Sequence, residues 1–310
     1  MPTAAIVGAG LIGCSWAHVF ARAGWEVRVW DAAEAQRSSA THRIAESLRD
    51  LERHGLVDDA ERASRRVRVF PTLEDAVASA DYVQESGPET LDVKQDLFAR
   101  MDSAARPETV LASSTSAIVA SQFTAALPGR GRCLVAHPVN PPHLAPVVEL
   151  CGAPWTDAGC IARAREVMDA VGQAPVEVRR EIDGFILNRL QAALLSEAFR
   201  LVQDGYVTPA DLDRTIADGL GLRWSFMGPF ETIELNAPGG IADYCRRYVP
   251  WFRRYLAAPP PRSVWDDANW QRAADAWGPP PDERAIAEKS RWRNDRLAAL
   301  AAHKRTQPKS

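Results

Sequence analysis

Residues 6–16, IVGAGLIGCSW, carry the motif G-x-G-x-x-G at Gly8, Gly10 and Gly13. The apolar run before the motif predicts a first β-strand, and the periodicity after it predicts a helix that Gly24 ends. A glycine-rich loop between a strand and a helix lets the backbone approach a pyrophosphate closely. The stretch therefore predicts a dinucleotide site at a helix N-terminus. The alternative is a structural turn between strand and helix.

Asp31 ends the second predicted strand, EVRVWD, and lies 23 residues after Gly8. An acid near this distance accepts hydrogen bonds from ribose hydroxyls in dinucleotide-binding folds. Because its carboxylate repels a 2′-phosphate, Asp31 favours NAD over NADP, and Arg37 nearby is the one opposing feature. The predicted cofactor-binding residues of this region are Gly8, Gly10, Leu11, Ile12, Gly13 and Asp31.

Strand and helix patterns alternate along the first half of the chain. The predicted strands are AAIVG, EVRVWD, RVRVF, YVQE, TVLAS, CLVAHP, VVEL and PVEVRR. This alternation predicts an α/β fold with a doubly wound, Rossmann-type sheet, followed by an all-helical C-terminal domain. We expect an NAD-binding domain at residues 1–181 and a helical substrate-binding and dimerisation domain at residues 182–310. The second domain is predicted to open with one long helix over residues 183–204.

Composition narrows the class of protein. The 310 residues carry a net charge of −3, so nothing favours a nucleic-acid partner. No apolar run is long enough to predict a membrane span, and the start, MPTAAIVGAG, is expected to be a strand and not a signal peptide. Five scattered cysteines, with no C-x-x-C pair, predict a reduced cytoplasmic protein. The six histidines show no metal-ligand spacing, so no metal is expected.

Polar residues at the ends of predicted elements are candidates for chemistry. ASSTS, residues 112–116, follows a buried strand and forms either a functional cluster or a helix-capping loop. His137 ends the strand CLVAHP, where ligands sit in open α/β sheets, and Glu149 lies twelve residues later on an apolar strand. Pairing would satisfy both side chains, as a catalytic pair or as a structural core pair. Asn188 interrupts the apolar surface of the predicted helix, either as an exposed residue or as a donor across the domain cleft.

Six motifs occur in order between residue 4 and about residue 250: IVGAGLIG, PETLDVK, SSTS, AHPVNPP, IDGFILNRLQ and GPFE. In this combination the chain resembles the 3-hydroxyacyl-CoA dehydrogenase family. HPVNPP, NRLQ, DGLGLR and LNAPGG resemble most its lambda-crystallin branch, which oxidises L-gulonate. The resemblance implies an NAD-dependent dehydrogenase with a Rossmann-type domain and a helical C-terminal domain through which it forms a homodimer.

The resemblance also implies roles for residues that match the family motifs. His137 would be the catalytic base and Glu149 its partner. Ser116, which lies 21 residues before His137, and Asn188 would bind the reacting oxygen of the substrate. The residues implied to contact the cofactor beyond the glycine loop are Glu89, Lys94, Ser116 and Asn140.

A small 3-hydroxy acid is the predicted substrate, with L-gulonate favoured over two alternatives. Arg223, in GLGLRWSFMGPFE, either clamps a free carboxylate or stacks as a surface residue on Trp224. Residues 36–66 contain seven arginines, six acidic residues and no lysine, a mixed face more than a platform for 3-hydroxyacyl-CoA. L-carnitine, the second alternative, would need an aromatic partner for its cation, such as Trp224 or Phe226.

A non-enzymatic alternative is an NAD-binding structural protein, as crystallins can be. The combined presence of Ser116, His137, Glu149 and Asn188 speaks against it, because a structural protein has no need for this set.

Overall fold

The computed structural model describes residues 1–255 and 259–307 and contains a sheet of eight strands. The strands are β1 (Thr3–Val7), β2 (Glu26–Trp30), β3 (Val67–Val69), β4 (Tyr82–Glu85), β5 (Val110–Ser113), β6 (Cys133–Pro138), β7 (Val147–Gly152) and β8 (Ala174–Glu177). Each of them overlaps a segment that the sequence pattern predicts as a strand, and β1, β7 and β8 extend one or two residues beyond it. The helices that follow these strands are α1 (Leu11–Arg22), α2 (Glu34–Arg53), α3 (Ala60–Ser64), α4 (Leu73–Val77), α5 (Leu91–Ala104), α6 (Ala120–Thr124) and α7 (Ala158–Ala170).

The strand order across the sheet is β3-β2-β1-β4-β5-β6-β7-β8. The first six strands are parallel, and their order is that of a doubly wound dinucleotide-binding sheet. β7 runs antiparallel to β6, and β8 is parallel to β7. The predicted Rossmann-type α/β fold is therefore confirmed, and the carboxyl ends of β1, β4, β5 and β6 lie at one edge of the sheet.

Alternation along β1 shows how the sheet is buried on both faces. Ala4 and Ile6 belong to one hydrophobic cluster, whereas Ala5 and Val7 belong to another. Successive side chains of a strand point to opposite faces, so the two clusters are the two layers between sheet and helices. α1 buries nine consecutive residues, from Gly13 to Ala21, and is the most enclosed of the flanking helices.

Local end signals in the sequence correspond to the observed helix ends. The Thr72 hydroxyl accepts a hydrogen bond from the N–H of Asp75 at the start of α4, as a capping box predicts. Gly24 follows α1 with a φ of 89°, a left-handed conformation that glycine adopts at little cost.

The remaining chain is helical, as the sequence predicts. Its helices are α8 (Leu187–Gln203), α9 (Pro209–Arg214), α10 (Gly221–Trp224), α11 (Pro229–Glu234), α12 (Gly240–Tyr255), α13 (Asp267–Trp277) and α14 (Glu283–Arg305). Thr208 caps α9 through the N–H of Asp211, with Pro209 at the first helical position.

The predicted start of the long helix at residue 183 is wrong, because α8 begins only at Leu187. Gly184 and Phe185 have φ values of 76° and 49°, and an α-helix requires negative φ. A positive φ at phenylalanine costs about 1 kcal/mol or more. The Phe185 ring is completely buried, and its packing holds this turn in place.

The chain divides into two compact units, Met1–Asn188 together with the stretch that begins at Ser290, and Arg189–Lys289. In the first unit, Ala298 of α14 is buried in the core and Asp295 lies 2.8 Å from Nε2 of His54. The domain boundary at residue 181 stays a prediction. None of the described helices combines the length and apolar character that crossing a membrane requires.

Two histidines form a buried pair in the first unit. The rings of His18 in α1 and His143 in the loop after β6 meet edge to face, with centroids 5.0 Å apart. Among the described residues, nothing forms a hydrogen bond with Nδ1 of His143. Burial, and then the charges of Arg22 and Arg293, lower the pKa of His143 to about 4. Burial, and then His143 and Arg22, hold the pKa of His18 well below its usual range.

Replacing His143 with leucine is expected to flatten the acid side of the stability profile. The unfolded imidazole takes up a proton below its ordinary pKa of 6.5, whereas the folded one stays neutral until about pH 4. The unfolded chain therefore binds more protons in this window, and the native state loses about 1.4 kcal/mol per pH unit as pH falls. Urea unfolding across the window measures this slope. His42→Leu, on the exposed surface of α2, is the control, and equal slopes for H143L and wild type would contradict the expectation.

Candidate active site

The three glycines of the first loop are required for different reasons. Gly8 has a φ of 103°, and a Cβ there would lie 2.6 Å from the carbonyl oxygen of Ser86. A Cβ at Gly13 would lie 1.8 Å from the carbonyl oxygen of Gly8. A Cβ at Gly10 would meet nothing within 4 Å, and its φ of −70° suits any residue. Packing therefore explains Gly8 and Gly13, whereas the open space at Gly10 fits the close approach of a ligand.

The N-terminus of α1 presents unsatisfied N–H groups beside this open space. Gly10 is the N-cap residue and has no side chain to accept from them, and the first turn contains no acid. Leu11 is 65% exposed, so this end of the helix is accessible. Free N–H groups and the helix dipole together form a site for phosphate oxygens.

Asp31 is held at the edge of a large cavity next to this loop. Its Oδ2 accepts from the N–H of Ala9 at 2.7 Å and its Oδ1 from the N–H of Ala33 at 2.8 Å. The cavity measures about 810 Å³, and Gly8, Gly10 and Asp31 are among its lining residues. Arg37 donates to the backbone carbonyls of Asp31 and Ala32. These residues fit the adenosine and diphosphate of a dinucleotide, with the carboxylate oriented by two backbone donors.

A smaller cavity of about 300 Å³ adjoins the first and contains most of the other predicted residues. Ser86 and Gly87 line both cavities, so they form the junction between them. The predicted site residues that line the smaller cavity are Ile12, Glu89, Lys94, Ser116, His137 and Asn140.

His137 and Glu149 are brought together by the pairing of β6 with β7. They are direct cross-strand partners in the antiparallel register, and Nδ1 of His137 lies 2.8 Å from Oε2 of Glu149. His137 is 5% exposed and Glu149 is 2% exposed. Because an ionised carboxylate only accepts, the pair places the imidazole proton on Nδ1 and leaves Nε2 as an acceptor at the cavity.

The second oxygen of Glu149 accepts from the backbone at the start of α8. The N–H groups of Ile186 and Leu187 lie 2.8 and 2.9 Å from Oε1. Burial raises the pKa of Glu149, but the hydrogen bonds from His137, Leu187 and Ile186 outweigh it, and the pKa lies below its usual range. Glu149 therefore stays ionised beside the histidine.

Glu85 belongs to this region and was not predicted from the sequence. Lys94 lies within 3.1 Å of both Glu85 oxygens, and Ser113 and the N–H of Gly87 also donate to them. Burial raises the pKa of Glu85, and its donors offset part of that rise. The signal was present, since a charged residue at the end of the buried strand YVQE needs a partner. The ammonium of Lys94, predicted as a cofactor contact, is held by this carboxylate at the cavity wall.

Glu89, Ser116 and Asn188 form a second group of contacts. Glu89 Oε1 accepts from the hydroxyl of Thr115 and from the N–H groups of Ser116 and Ala117. Nδ2 of Asn188, in the first turn of α8, donates to the carbonyl oxygen of Ser116 at 3.0 Å. These contacts hold the loop after β5 beside the small cavity and bring Ser116 and Asn188 together.

Arg223 lies in α10, in the second unit, and its side chain is exposed. Its role toward a substrate stays a prediction. Among the described residues, no group of three or more histidine, cysteine, aspartate or glutamate side chains could hold a metal ion.

A family model for "3-hydroxyacyl-CoA dehydrogenase, NAD binding domain" matches residues 3–182, and one for the family's C-terminal domain matches residues 184–275. The chain therefore belongs to the 3-hydroxyacyl-CoA dehydrogenase family, and it is an NAD-dependent oxidoreductase. The glycine loop, Asp31 and the His137–Glu149 pair lie within the first match.

Particular relatives narrow the position of the chain within the family. A lambda-crystallin homolog of Mus musculus is 39% identical over 98% of this chain and 97% of its own length. An L-carnitine dehydrogenase of Pseudomonas aeruginosa is 38% identical over 96% of this chain and 92% of its own length. The structure of 5-formyl-3-hydroxy-2-methylpyridine 4-carboxylic acid 5-dehydrogenase, an NAD⁺-dependent dismutase, has a TM-score of 0.81, 25% identity and 98% coverage of both chains. The predicted family, its lambda-crystallin relatives and the NAD cofactor are confirmed.

Replacing Gly10 with alanine is expected to weaken cofactor binding, whereas replacing Gly13 with alanine is expected to destabilise the fold. Gly10→Ala should leave stability unchanged, because its Cβ meets nothing, and should weaken NADH binding about tenfold by intruding where the diphosphate approaches. Gly13→Ala should destabilise the fold by about 2 kcal/mol or more, because its Cβ would overlap the backbone of Gly8. Urea unfolding and NADH fluorescence titration measure the two effects. Normal NADH affinity in G10A would show that the open space at Gly10 does not serve the cofactor.

Proposed function

We propose that the protein oxidises the 3-hydroxyl of a small hydroxy acid, converting L-gulonate to 3-dehydro-L-gulonate. The observation that carries the proposal is the buried contact of 2.8 Å between His137 and Glu149 at the wall of a small cavity. This cavity adjoins the larger one that contains the glycine loop and Asp31. A histidine with one nitrogen held by a carboxylate and the other turned to a ligand is suited to take the proton of an alcohol.

The proton step follows from the hydrogen bonds of His137. Glu149 accepts from Nδ1, so Nε2 carries a free lone pair and takes the proton of the substrate hydroxyl. The resulting imidazolium is stabilised by the adjacent carboxylate, whose pKa is held below its usual range. NAD, when bound, accepts the hydride that leaves C3, so that the alcohol becomes a ketone. In the reverse direction, the protonated His137 returns its proton to the carbonyl oxygen.

Ser116 and Asn188 are proposed to hold the reacting oxygen. The Ser116 side chain is exposed at the small cavity, and one amide hydrogen of Asn188 is used by the Ser116 carbonyl. Nothing else in the part of the chain that the structure describes is hydrogen-bonded to Nδ2 of Asn188 or to the Ser116 hydroxyl, so the second amide hydrogen and the hydroxyl are available as donors. Donors directed at an oxygen that gains charge are worth about 3 kcal/mol each.

The preference for L-gulonate rests on three features of this chain. The motifs DGLGLR and LNAPGG resemble the lambda-crystallin branch, and relatives of that name are 37–40% identical to the chain. Arg223 offers a guanidinium that would clamp a free carboxylate with two hydrogen bonds. The mixed charge of α2 offers little to the phosphates of a CoA ester.

L-carnitine is a second candidate, because L-carnitine dehydrogenases are 37–38% identical to the chain. Trp224 and Phe226 are 40% and 66% exposed and could face a trimethylammonium group. A 3-hydroxyacyl-CoA is a third candidate, since the structure of a 3-hydroxybutyryl-CoA dehydrogenase from Escherichia coli has a TM-score of 0.67 and 28% identity.

We also propose a cytoplasmic homodimer. All five cysteines are free, and four of them are buried, which suits a reducing compartment. α8 and α12 contain no buried residue. Their large apolar side chains include Leu190, Trp251 and Tyr255, which are more than half exposed. Apolar helix faces of this extent favour burial against a second copy.

Light scattering is expected to give twice the chain mass of 34.0 kDa. Trp251→Glu should shift the protein toward the monomer, because a charge would then have to be buried at the interface. A monomer for the wild type at micromolar concentration would contradict the dimer.

A substrate panel tests the proposed activity. NADH formation is followed with L-gulonate, L-carnitine, 3-hydroxybutyrate and 3-hydroxybutyryl-CoA. The highest kcat/KM is expected for L-gulonate. A site that pairs a carboxylate should discriminate by about tenfold or more against 3-hydroxybutyryl-CoA, the one substrate of the panel without a free carboxylate. A higher kcat/KM for another substrate would reassign the enzyme to that substrate. If none of the four substrates were turned over, the result would favour an NAD-binding structural protein.

Two variants separate chemistry from binding in this assay. His137→Ala should lose about 10²–10⁴-fold in kcat while NADH binds normally, because only the proton acceptor is removed. Arg223→Met should raise KM for L-gulonate about tenfold with no change in KM for NAD. Near-normal turnover in H137A, or equal changes of both KM values in R223M, would contradict the assigned roles.

A further inference from the structure

A hydrogen-bonded network lies behind the junction of the two cavities. It joins Tyr82, Gln84, Ser114, Trp16 and Ser86. Three of these side chains are completely buried, namely Tyr82, Gln84 and Trp16. The Tyr82 hydroxyl lies 2.9 Å from Gln84 Oε1, and Gln84 Nε2 lies 2.7 Å from Ser114 Oγ. Trp16 Nε1 lies 3.1 Å and Ser86 Oγ 2.9 Å from the same Ser114 oxygen. None of these side chains has a part in the proton step described above.

The orientation of the Gln84 amide is determined by its neighbours. Nε2 lies 3.2 Å from the carbonyl oxygen of Ala136, which only accepts. Oε1 must therefore face Tyr82, whose hydroxyl donates to it. Nε2 then directs one hydrogen to Ala136 and the other to Ser114.

This orientation fixes the direction of the bond between Ser114 and Ser86. The Ser114 oxygen accepts from Gln84 Nε2 and from Trp16 Nε1, and an indole nitrogen only donates. A hydroxyl oxygen has two acceptor sites, and both are occupied. Ser114 must therefore donate its own hydrogen to Ser86.

Ser86 accepts from Ser114, so the hydroxyl hydrogen of Ser86 cannot be donated to Ser114. Ser86 is half-buried and lines both cavities, one containing Asp31 and the other containing His137. Among the described residues, no other side chain is hydrogen-bonded to its oxygen. The network thus presents one oriented O–H donor at the point where the two cavities meet.

We propose that Ser86 donates this hydrogen bond to an oxygen of the diphosphate–ribose segment that joins the two halves of NAD. The proposal rests on the dinucleotide lying across both cavities, as the proposed function requires. Asp31 accepts from the outer ribose and His137 faces the reacting end, so the segment between them is the part of the ligand nearest Ser86. Its phosphate and ribose oxygens are acceptors, which is the chemistry that an obligate donor selects.

Matched variants of Ser86 test the proposal. Ser86→Ala removes the donor, and Ser86→Thr and Ser86→Val are a pair of equal size that differ only in the hydroxyl. Ser64→Ala, a half-buried serine of α3 that lines neither cavity, is the control. Calorimetry measures the affinities for ADP-ribose, ADP and AMP, and thermal unfolding checks each fold. The Thr and Val variants keep the comparison available should the alanine variant fail to fold.

S86A and S86V are expected to bind ADP-ribose about tenfold more weakly than wild type, with S86T and S64A close to it. AMP retains only the first phosphate of the linking segment. Equal AMP binding by all of them would place the acceptor beyond that phosphate, and a loss that also occurs with AMP would identify an oxygen of that phosphate as the acceptor. A loss that also occurs with ADP identifies a diphosphate oxygen as the acceptor, and a loss confined to ADP-ribose identifies the second ribose. Unchanged ADP-ribose affinity in folded S86V would overturn the proposal. Failure of the wild type to bind either AMP or ADP-ribose would instead overturn the placement of the dinucleotide.

Discussion

The site depends on one buried carboxylate, that of Glu149. It lies across from His137 because β7 runs antiparallel to β6 in a register that pairs the two residues. One oxygen orients the imidazole, and the other accepts from the N–H groups of Ile186 and Leu187 at the start of α8. A carboxylate with three such donors stays charged although it is buried, which is the condition for supporting an imidazolium. Shifting the register by one residue would move Glu149 to the opposite face of the sheet. It would then contact neither the His137 imidazole nor the N–H groups at the start of α8.

The same carboxylate connects the sheet to the residues after it. Phe185 adopts a φ of 49°, and its buried ring lies 5.4 Å from the His137 ring. The turn directs the N–H groups of Ile186 and Leu187 to Glu149, and α8 begins there. Asn188 follows within the first helical turn and reaches the carbonyl of Ser116. Backbone strain at Phe185 is therefore tolerated at the position where the strand pair and the helix are joined by hydrogen bonds.

Local patterns in the sequence are sufficient to predict the strands and helices but not the long-range contacts that connect them. Short apolar runs locate all eight strands, and Thr72, Gly24 and Pro209 mark helix ends correctly, because these signals act within a few residues. The turn before α8 was missed because the buried contacts of Phe185 and the partners of Glu149 lie far apart in sequence. The Glu85–Lys94 pair was missed for a different reason. The resemblance to the family implies that Lys94 contacts the cofactor, whereas its nearest acceptor in the structure is the Glu85 carboxylate at the end of β4.

The buried polar groups around the two cavities share one property, which is that hydrogen bonds within the protein fix their donor and acceptor directions. Glu85 accepts from Lys94 and Ser113, and Glu149 from His137 and two backbone groups, so the oxygens of both carboxylates have hydrogen-bond donors within the protein. His137 and Ser86 differ from them in that each keeps one unused function at a cavity, an acceptor in the first case and a donor in the second. The lone pair of His137 is complementary to an alcohol hydrogen, and the O–H of Ser86 is complementary to a phosphate or ribose oxygen, as the two proposals require. The surrounding network thus orients these two groups before any ligand binds, which lowers the cost of organising the site during binding and reaction.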